Sequence, residues 1–518
     1  MIDLKSWIKI LVAHPFLFIL FPILFLYSNN IHLLTFEGII LPTIGLLSFG
    51  FILWIILRFV LKSSRKSAIL VSLYAVLFFS YGHIFHLLSE NAIESFEIRH
   101  EYFLIPFLAL VVFGTYYIVK SKRRFDNATT ILNVIGIVLV VMVLGNILSY
   151  SLAHNSIEAD VEVANLQAEM NVENVPDIYY LIFDAYPNHN VLSKFFEYDN
   201  DEFITDLTER GFYVVPESHS NYVQSFLSIS STLNMKHMND LSNVLGIDSK
   251  DQQLVYKMLN NNVVMQNLKN IGYTIISFDS GYWGTNAIEI ADENLCTKTL
   301  NVDSTFLSYL KRTTIVDAFE LFYWDSVQDF RAEDVRERIL CQFSELPKIK
   351  DRIQEPIFVF NHFSSPHGPY VFGPNGESVS YVELDELQMN PQERKKAFTD
   401  QITFLNKNIK EVIDKLILES EKPPIIIIQS DHGIDVKAWG LTNDERHQYE
   451  RNANLSAYYL PDNKHELIYD TITPVNSFRL IFNAYFNSTY SFVDDTLYSS
   501  PLGQPYNFTD VTDILTGQ

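Results

Sequence analysis

The run PPIIIIQSDHG, residues 423–433, carries four isoleucines straight into an adjacent carboxylate and imidazole, Asp431 and His432. Neighbouring Asp and His side chains at a strand tip are a ready pair of ligands for a divalent cation. Gly433 permits the backbone to turn sharply out of the sheet. Asp184 closes another apolar run, YYLIFDAY. A carboxylate in that place is costly unless it is paired, hydrogen-bonded or metal-bound. Ser225 opens the run SFLSISSTL inside a hydroxyl-rich stretch, 218–235. A serine at a helix start lies beside backbone N–H groups that favour an anion. His362 and His367 flank a third exit, FVFNHFSSPHGPY. Singly, each admits a plain structural role: Asp184 as a turn cap, Ser225 as an N-cap, each histidine as a buried ring. Their order along the chain, each at the end of an apolar run, points instead to one shared, cation-assisted site.

Placing those groups together requires parallel strands. Four consecutive isoleucines suggest a strand covered on both faces. The runs DIYYLIFDAY, GFYVVPES, GYTIISFDSGY, PIFVFNHFSSPH and PPIIIIQSDHG are all apolar and end in small or polar residues. Amphipathic stretches such as RKKAFTDQITFLNKNIKEVIDKLILES separate them. This alternation predicts an α/β domain with a mainly parallel sheet flanked by helices. In such sheets ligands collect beyond the carboxyl ends of the strands.

The first 150 residues are different. Five apolar stretches, 7–27, 39–61, 68–88, 102–119 and 131–152, each approach the ~20 residues that cross a bilayer as a helix. One cleaved signal peptide does not account for five. The reading is therefore a five-span anchor over 1–152, a polar linker over 153–175 and an extracytoplasmic catalytic domain over 176–518. Lys5, Lys9, Arg58, Lys62, Arg65, Lys66, Lys120, Lys122, Arg123 and Arg124 fall on alternate connections, against Arg99 alone on the others. The positive-inside rule places the N-terminus in the cytoplasm and the larger domain outside. Beyond residue 150 the chain has 27 basic and 54 acidic residues, which excludes a nucleic-acid partner. Outside the cytoplasm Cys296 and Cys341 either pair or remain two buried thiols. Asn454, Asn487 and Asn507 begin Asn-x-Ser/Thr sequons on that side.

The motifs YYLIFDAY, SNYVQS, SPHGPY, SDHG and ERNANLSAYYLP resemble those of the alkaline phosphatase superfamily, in its sulfatase-like branch. With the five-span anchor, the whole chain resembles lipoteichoic acid synthases and lipid A phosphoethanolamine transferases. The resemblance implies metal ligands at Asp184, Ser225, Asp431 and His432. It implies a nucleophile at Ser225, where those two families have Thr. It sets His367 toward the transferred group, and His362 and His447 on the substrate side. Sulfatases proper need Cys or Ser followed by x-Pro-x-Arg, for conversion to formylglycine. Here the run is Ser225-Phe-Leu-Ser, without the Pro or the Arg. Sulfate-ester hydrolysis is discounted on that ground.

The function so implied is transfer of a phospholipid head group, of phosphoglycerol or phosphoethanolamine type, to a surface glycan, glycolipid or polymer. It would run through a covalent Ser225 intermediate and one divalent cation, Zn or Mn by the N/O ligand set. The alternatives are a phosphodiesterase or phosphatase, a sulfatase-type hydrolase, and a degenerate domain that binds a surface glycan.

Overall fold

A computed structural model of the chain describes residues 12–90, 99–158, 175–297, 304–353, 356–379, 389–420 and 422–517. It divides into two compact units. The first takes Met1–Asp160 and Lys298–Trp324, and the second Val161–Thr297 and Asp325–Gln518. The linker expected at 153–175 begins as the end of the helix Asp126–Glu158, and most of it lies outside the described residues.

In the first unit, Phe36–Leu61, Ser64–Ser89, His100–Lys120 and Asp126–Leu152 are long and apolar enough to cross a membrane. The first expected span is described only from residue 12. Its helix, His14–Asn29, is shorter, at 16 residues. Phe49, Phe59, Val60 and Phe113 are each well over half exposed, an apolar surface that water would penalise and lipid would not.

The expected boundary of the anchor at 152 changes here. Residues 304–318 lie deep in the sequence of the second unit, yet they pack against the membrane helices. Phe306 is fully buried in their core, and Ala318 sits with Tyr81, Phe85 and Phe107. The Ile315 N–H donates to the Phe78 carbonyl at 3.0 Å. Asp317 Oδ2 lies 3.1 Å from His86 Nε2 and 3.7 Å from His100 Nε2. Gly82 is what permits this approach, because a Cβ there would stand 2.1 Å from the Arg312 carbonyl oxygen. Backbone cannot yield as a flexible side chain can. Gly82→Val is therefore expected to undock the segment and speed hydrogen exchange at the Ile315 amide by ~10-fold or more. Exchange unchanged from the native protein would refute that account.

The second unit holds a seven-stranded sheet in the order β2-β7-β6-β1-β5-β3-β4. The strands are β1 (Ile178–Asp184), β2 (Tyr213–Val214), β3 (Thr274–Phe278), β4 (Glu293–Leu295), β5 (Ile357–Pro366), β6 (Ile425–Gln429) and β7 (Ser456–Tyr459). β6, β1, β5, β3 and β4 run parallel, while β7 is antiparallel to both β6 and β2. β1 lies between β5 and β6, with Ile182 opposite His362 on one side and Gln429 on the other.

Both faces of the sheet are covered, as the isoleucine run requires. Ile178, Tyr180, Ile182, Phe358, Phe360, Ile425 and Ile427 pack in one core cluster with Ile229 and Leu233 of the helix Ser225–Asn234. Tyr179, Leu181, Phe183, Val359, Phe363, Ile426 and Ile428 pack in the other, against the helix Pro391–Glu419. Each fully buried isoleucine contributes about 1.5–3 kcal/mol of hydrophobic stabilisation. Cys296 and Cys341 form a disulfide, which resolves the open alternative in favour of pairing.

Candidate metal centre and active site

Period-two alternation decides which side chains meet. Along β1, residues 178, 180 and 182 face the Ser225 helix, so residue 184 does too. The same parity carries 358 and 360 on to His362, and 425 and 427 on to Gln429; Asp431 lies two residues past the end of β6, where its Oδ1 accepts the Ala185 N–H at 3.0 Å. Because β6, β1 and β5 are adjacent, three tips on one face converge. One ligand atom each from Asp184, His362 and Asp431 lie within 4.8 Å of one another, all three side chains buried.

The chain bends hard at each tip. Ala185 follows Asp184 at φ 61°, a left-handed conformation that costs a non-glycine residue about 1–3 kcal/mol and gathers at functional sites. The bend aims the Ala185 N–H at Asp431 Oδ1, 3.0 Å away, and the Tyr186 N–H at Ser430 Oγ, 2.8 Å away. Asp431 Oδ1 also accepts from the His432 N–H at 2.9 Å. Burial opposes ionisation of Asp431, but the facing rings of His432 and His362 and the Ala185 N–H favour it more. Its carboxyl is held below its ordinary range.

His432 Nδ1 lies 2.8 Å from the Gly433 carbonyl oxygen. A carbonyl only accepts, so Nδ1 carries the proton and Nε2 the lone pair. Nε2 stands 3.8 Å from Asp184 Oδ1, 3.6 Å from Asp431 Oδ2 and 3.3 Å from Ser225 Oγ. Burial drives the His432 pKa down to about 4; Asp431 opposes the shift and the Arg451 guanidinium adds to it. Burial likewise takes His362 to about 4, against the pull of Asp431. Both rings are neutral at physiological pH, the form that ligates a metal.

Gly433 matters here for a close approach. A Cβ on it would stand 2.1 Å from the Ala453 carbonyl oxygen, and its N–H donates to Arg451 at 2.7 Å. Its lack of a side chain lets the 450–453 turn press against the tip.

Ser225 is the first residue of its helix, with Gln224 at the N-cap, so its hydroxyl is not the capping group. The first N–H groups of a helix have no intrahelical partner and point where an anion would sit. Ser228, one turn later, donates to the Asp431 carbonyl at 2.6 Å and pins the helix to the strand tip. His367 is exposed at the rim, and its N–H donates to the Asp184 carbonyl at 3.0 Å. Its charge is felt at both His362 and His432. His447 lies on the 3-10 helix Glu445–Asn452, bonded to Glu450 at 3.0 Å and edge-on to Phe195. Asn454 is fully buried and donates to the Ser430 carbonyl at 2.6 Å, so it is no glycan acceptor in the folded chain.

Sequence reasoning missed Arg451, although ERNANLSAYYLP contains it. It also missed Ser280, Tyr282 and Thr285, which follow β3. GYTIISFDSGY ends as the other strand tips do, and that was the available signal: its parallel neighbour is β5, which carries His362.

The donors present suit a divalent cation. Beyond the two carboxylates and His432, His362 Nε2 is buried and has no hydrogen-bond partner among the described residues. A lone pair turned toward carboxylates, away from any proton donor, is stabilised by positive charge.

Residues 182–478 match the sulfatase family model. The chain belongs to the sulfatase family. It is thus an enzyme of that family. No curated protein matches this sulfatase-family chain. Among solved structures it is similar to the C-terminal periplasmic domain of EcEptC from Escherichia coli in complex with Zn. There the identity is 9%, the TM-score 0.43, and the coverage 66% of this chain and 95% of that one. It is also similar to the integral membrane lipooligosaccharide phosphoethanolamine transferase A (EptA) from Neisseria meningitidis, at 12% identity, TM-score 0.34 and 89% of each chain.

Proposed function

We propose that this sulfatase-family enzyme is a membrane-bound, metal-dependent phosphoryl-group transferase that moves a phospholipid head group to a surface glycan, glycolipid or polymer through Ser225. The observation that carries the reading is the convergence of Asp184, Asp431, His432 and His362 beneath the helix end that bears the Ser225 hydroxyl. Asp184, Asp431, His432 and the Ser225 oxygen would hold the cation, Zn²⁺ or Mn²⁺ by the chemistry of the donors. When bound, the cation supplies positive charge that lowers the pKa of a neighbouring hydroxyl.

The residues then divide the work. Ser225 Oγ gives up its proton to solvent and attacks the phosphodiester phosphorus, the bond to the lipid alcohol breaks, and a phosphoserine ester forms. The N–H groups opening the Ser225 helix and the Arg451 guanidinium meet the charge on the non-bridging oxygens. His367, at the rim, delivers a proton to the departing alcohol and takes one from the acceptor hydroxyl in the second half. The acceptor oxygen displaces Ser225, whose oxygen takes a proton back from solvent and is again the free hydroxyl.

The membrane helices support a lipid donor, since tethering raises its effective concentration at the site. The alternation of basic connections supports a cytoplasmic N-terminus and an extracytoplasmic second unit. The Cys296–Cys341 disulfide suits that compartment. Membership of the sulfatase family favours a second reading, in which water completes the same covalent step.

The detergent-solubilised protein with head-group-labelled phospholipid and an alcohol acceptor separates them. Label in the alcohol product supports transfer, and label released only to water supports hydrolysis. Head-group release undiminished by chelator would remove the cation from the reaction.

A further inference from the structure

The ring of His362 is held from behind. Its Nδ1 lies 2.8 Å from Thr285 Oγ1, Thr285 Oγ1 lies 2.7 Å from Ser280 Oγ, and Ser280 Oγ donates to the Tyr282 carbonyl at 3.2 Å. Ser280 Oγ also accepts the Tyr282 N–H at 3.0 Å. Thr285 and Ser280 are fully or almost fully buried.

The Tyr282 carbonyl accepts both the Thr285 N–H, at 2.9 Å, and the Ser280 hydroxyl, at 3.2 Å. With the Ser280 proton on that carbonyl, Ser280 Oγ accepts from Thr285, Thr285 Oγ1 accepts from the ring, and His362 carries its proton on Nδ1. Nε2 is left as a bare lone pair, on the side where Asp184 and Asp431 converge. The other end agrees, since Nε2 is buried and makes no hydrogen bond among the described residues.

We infer that Thr285, backed by Ser280, is a positioning residue that fixes the tautomer and tilt of His362 and so makes its Nε2 a further ligand for the cation held by Asp184 and Asp431. This rests on the reading of the site as a cation site. A partner on the far nitrogen of a ligating histidine sets which nitrogen binds and how well, and losing one typically costs ~10–100-fold in metal affinity.

The test uses the full chain in detergent, with zinc affinity read by competition against a chromophoric chelator and ligand geometry by the visible absorption of bound Co²⁺. Thr285→Val keeps the shape and removes the hydroxyl. It is expected to weaken zinc binding roughly 10–100-fold and to alter the Co²⁺ spectrum. Thr285→Ser restores both, and Ser280→Ala shifts both in the same direction by less. Melting of the metal-free variants separates lost binding from lost folding. Should Thr285→Val not fold, Ser280→Ala and Thr285→Ser carry the comparison. Native affinity and an unchanged Co²⁺ spectrum in Thr285→Val, or in Ser280→Ala where Thr285→Val does not fold, would overturn the role of the relay and leave the cation site standing. Native protein that takes up neither Zn²⁺ nor Co²⁺ overturns the cation reading, and the relay with it.

Discussion

Ser225→Ala is expected to lower head-group transfer by roughly 10³-fold or more, the scale seen when a nucleophile acting in a concerted site is removed. Ser225 Oγ is placed 3.3 Å from His432 Nε2, at the end of a helix whose first N–H groups lack intrahelical partners. Alanine is at home at the first helical position, and the pin from Ser228 to the Asp431 carbonyl remains. The variant should therefore fold, with the attacking oxygen and one proposed cation donor gone together and Asp184, Asp431 and His432 left to hold the cation. Acid-quenched native enzyme should yield a phosphorylated peptide at residue 225 by mass spectrometry, and the variant none. Ser225→Thr should retain activity, because it keeps the oxygen and adds one methyl at a half-buried helix start. Transfer at the native rate by Ser225→Ala would end the covalent mechanism.

Asp431→Asn is expected to cost both function and zinc-linked stability. In the proposed holoenzyme Asp431 is a ligand, so the variant should lose metal and activity together. In the metal-free protein the sign is the same and the effect smaller. The Asp431 side chain is wholly buried, yet its carboxyl is held below the ordinary range, so its charged form stabilises the fold at neutral pH. The amide oxygen of asparagine can still accept the Ala185 and His432 N–H groups, which limits the loss. Metal-free Asp431→Asn should melt somewhat below metal-free native protein. Adding Zn²⁺ should raise the melting temperature of the native protein alone, by about 4 kcal/mol of stabilisation at a thousandfold excess over Kd. A zinc-dependent rise of equal size in both proteins would show that Asp431 is not a ligand.

Local pattern and hydropathy already contained the two-part organisation. A membrane-crossing helix is recognised by about twenty apolar residues in a row, a property of the chain alone, so the spans were legible from residue types. The strand tips were legible for the same reason. The runs ending at Asp184, His362 and Asp431 announce buried strands, and alternation puts all three residues on one face. What alternation leaves open is which strands are neighbours. The Ala185 N–H, next to Asp184, reaches Asp431 across 246 positions of chain, and only the order β6-β1-β5 brings the two tips together. The same limit hid Thr285, a residue after β3 that touches His362 across 77 positions of chain. It also hid the return of residues 304–318 to the membrane helices, which a single close backbone approach at Gly82 admits. Which residues favour strand, span or ligand is written in their own chemistry. Which of them share a cation or a groove depends on long-range packing, where the cost of closing a loop grows only slowly with its length. Separation along the chain therefore says little about distance in the fold.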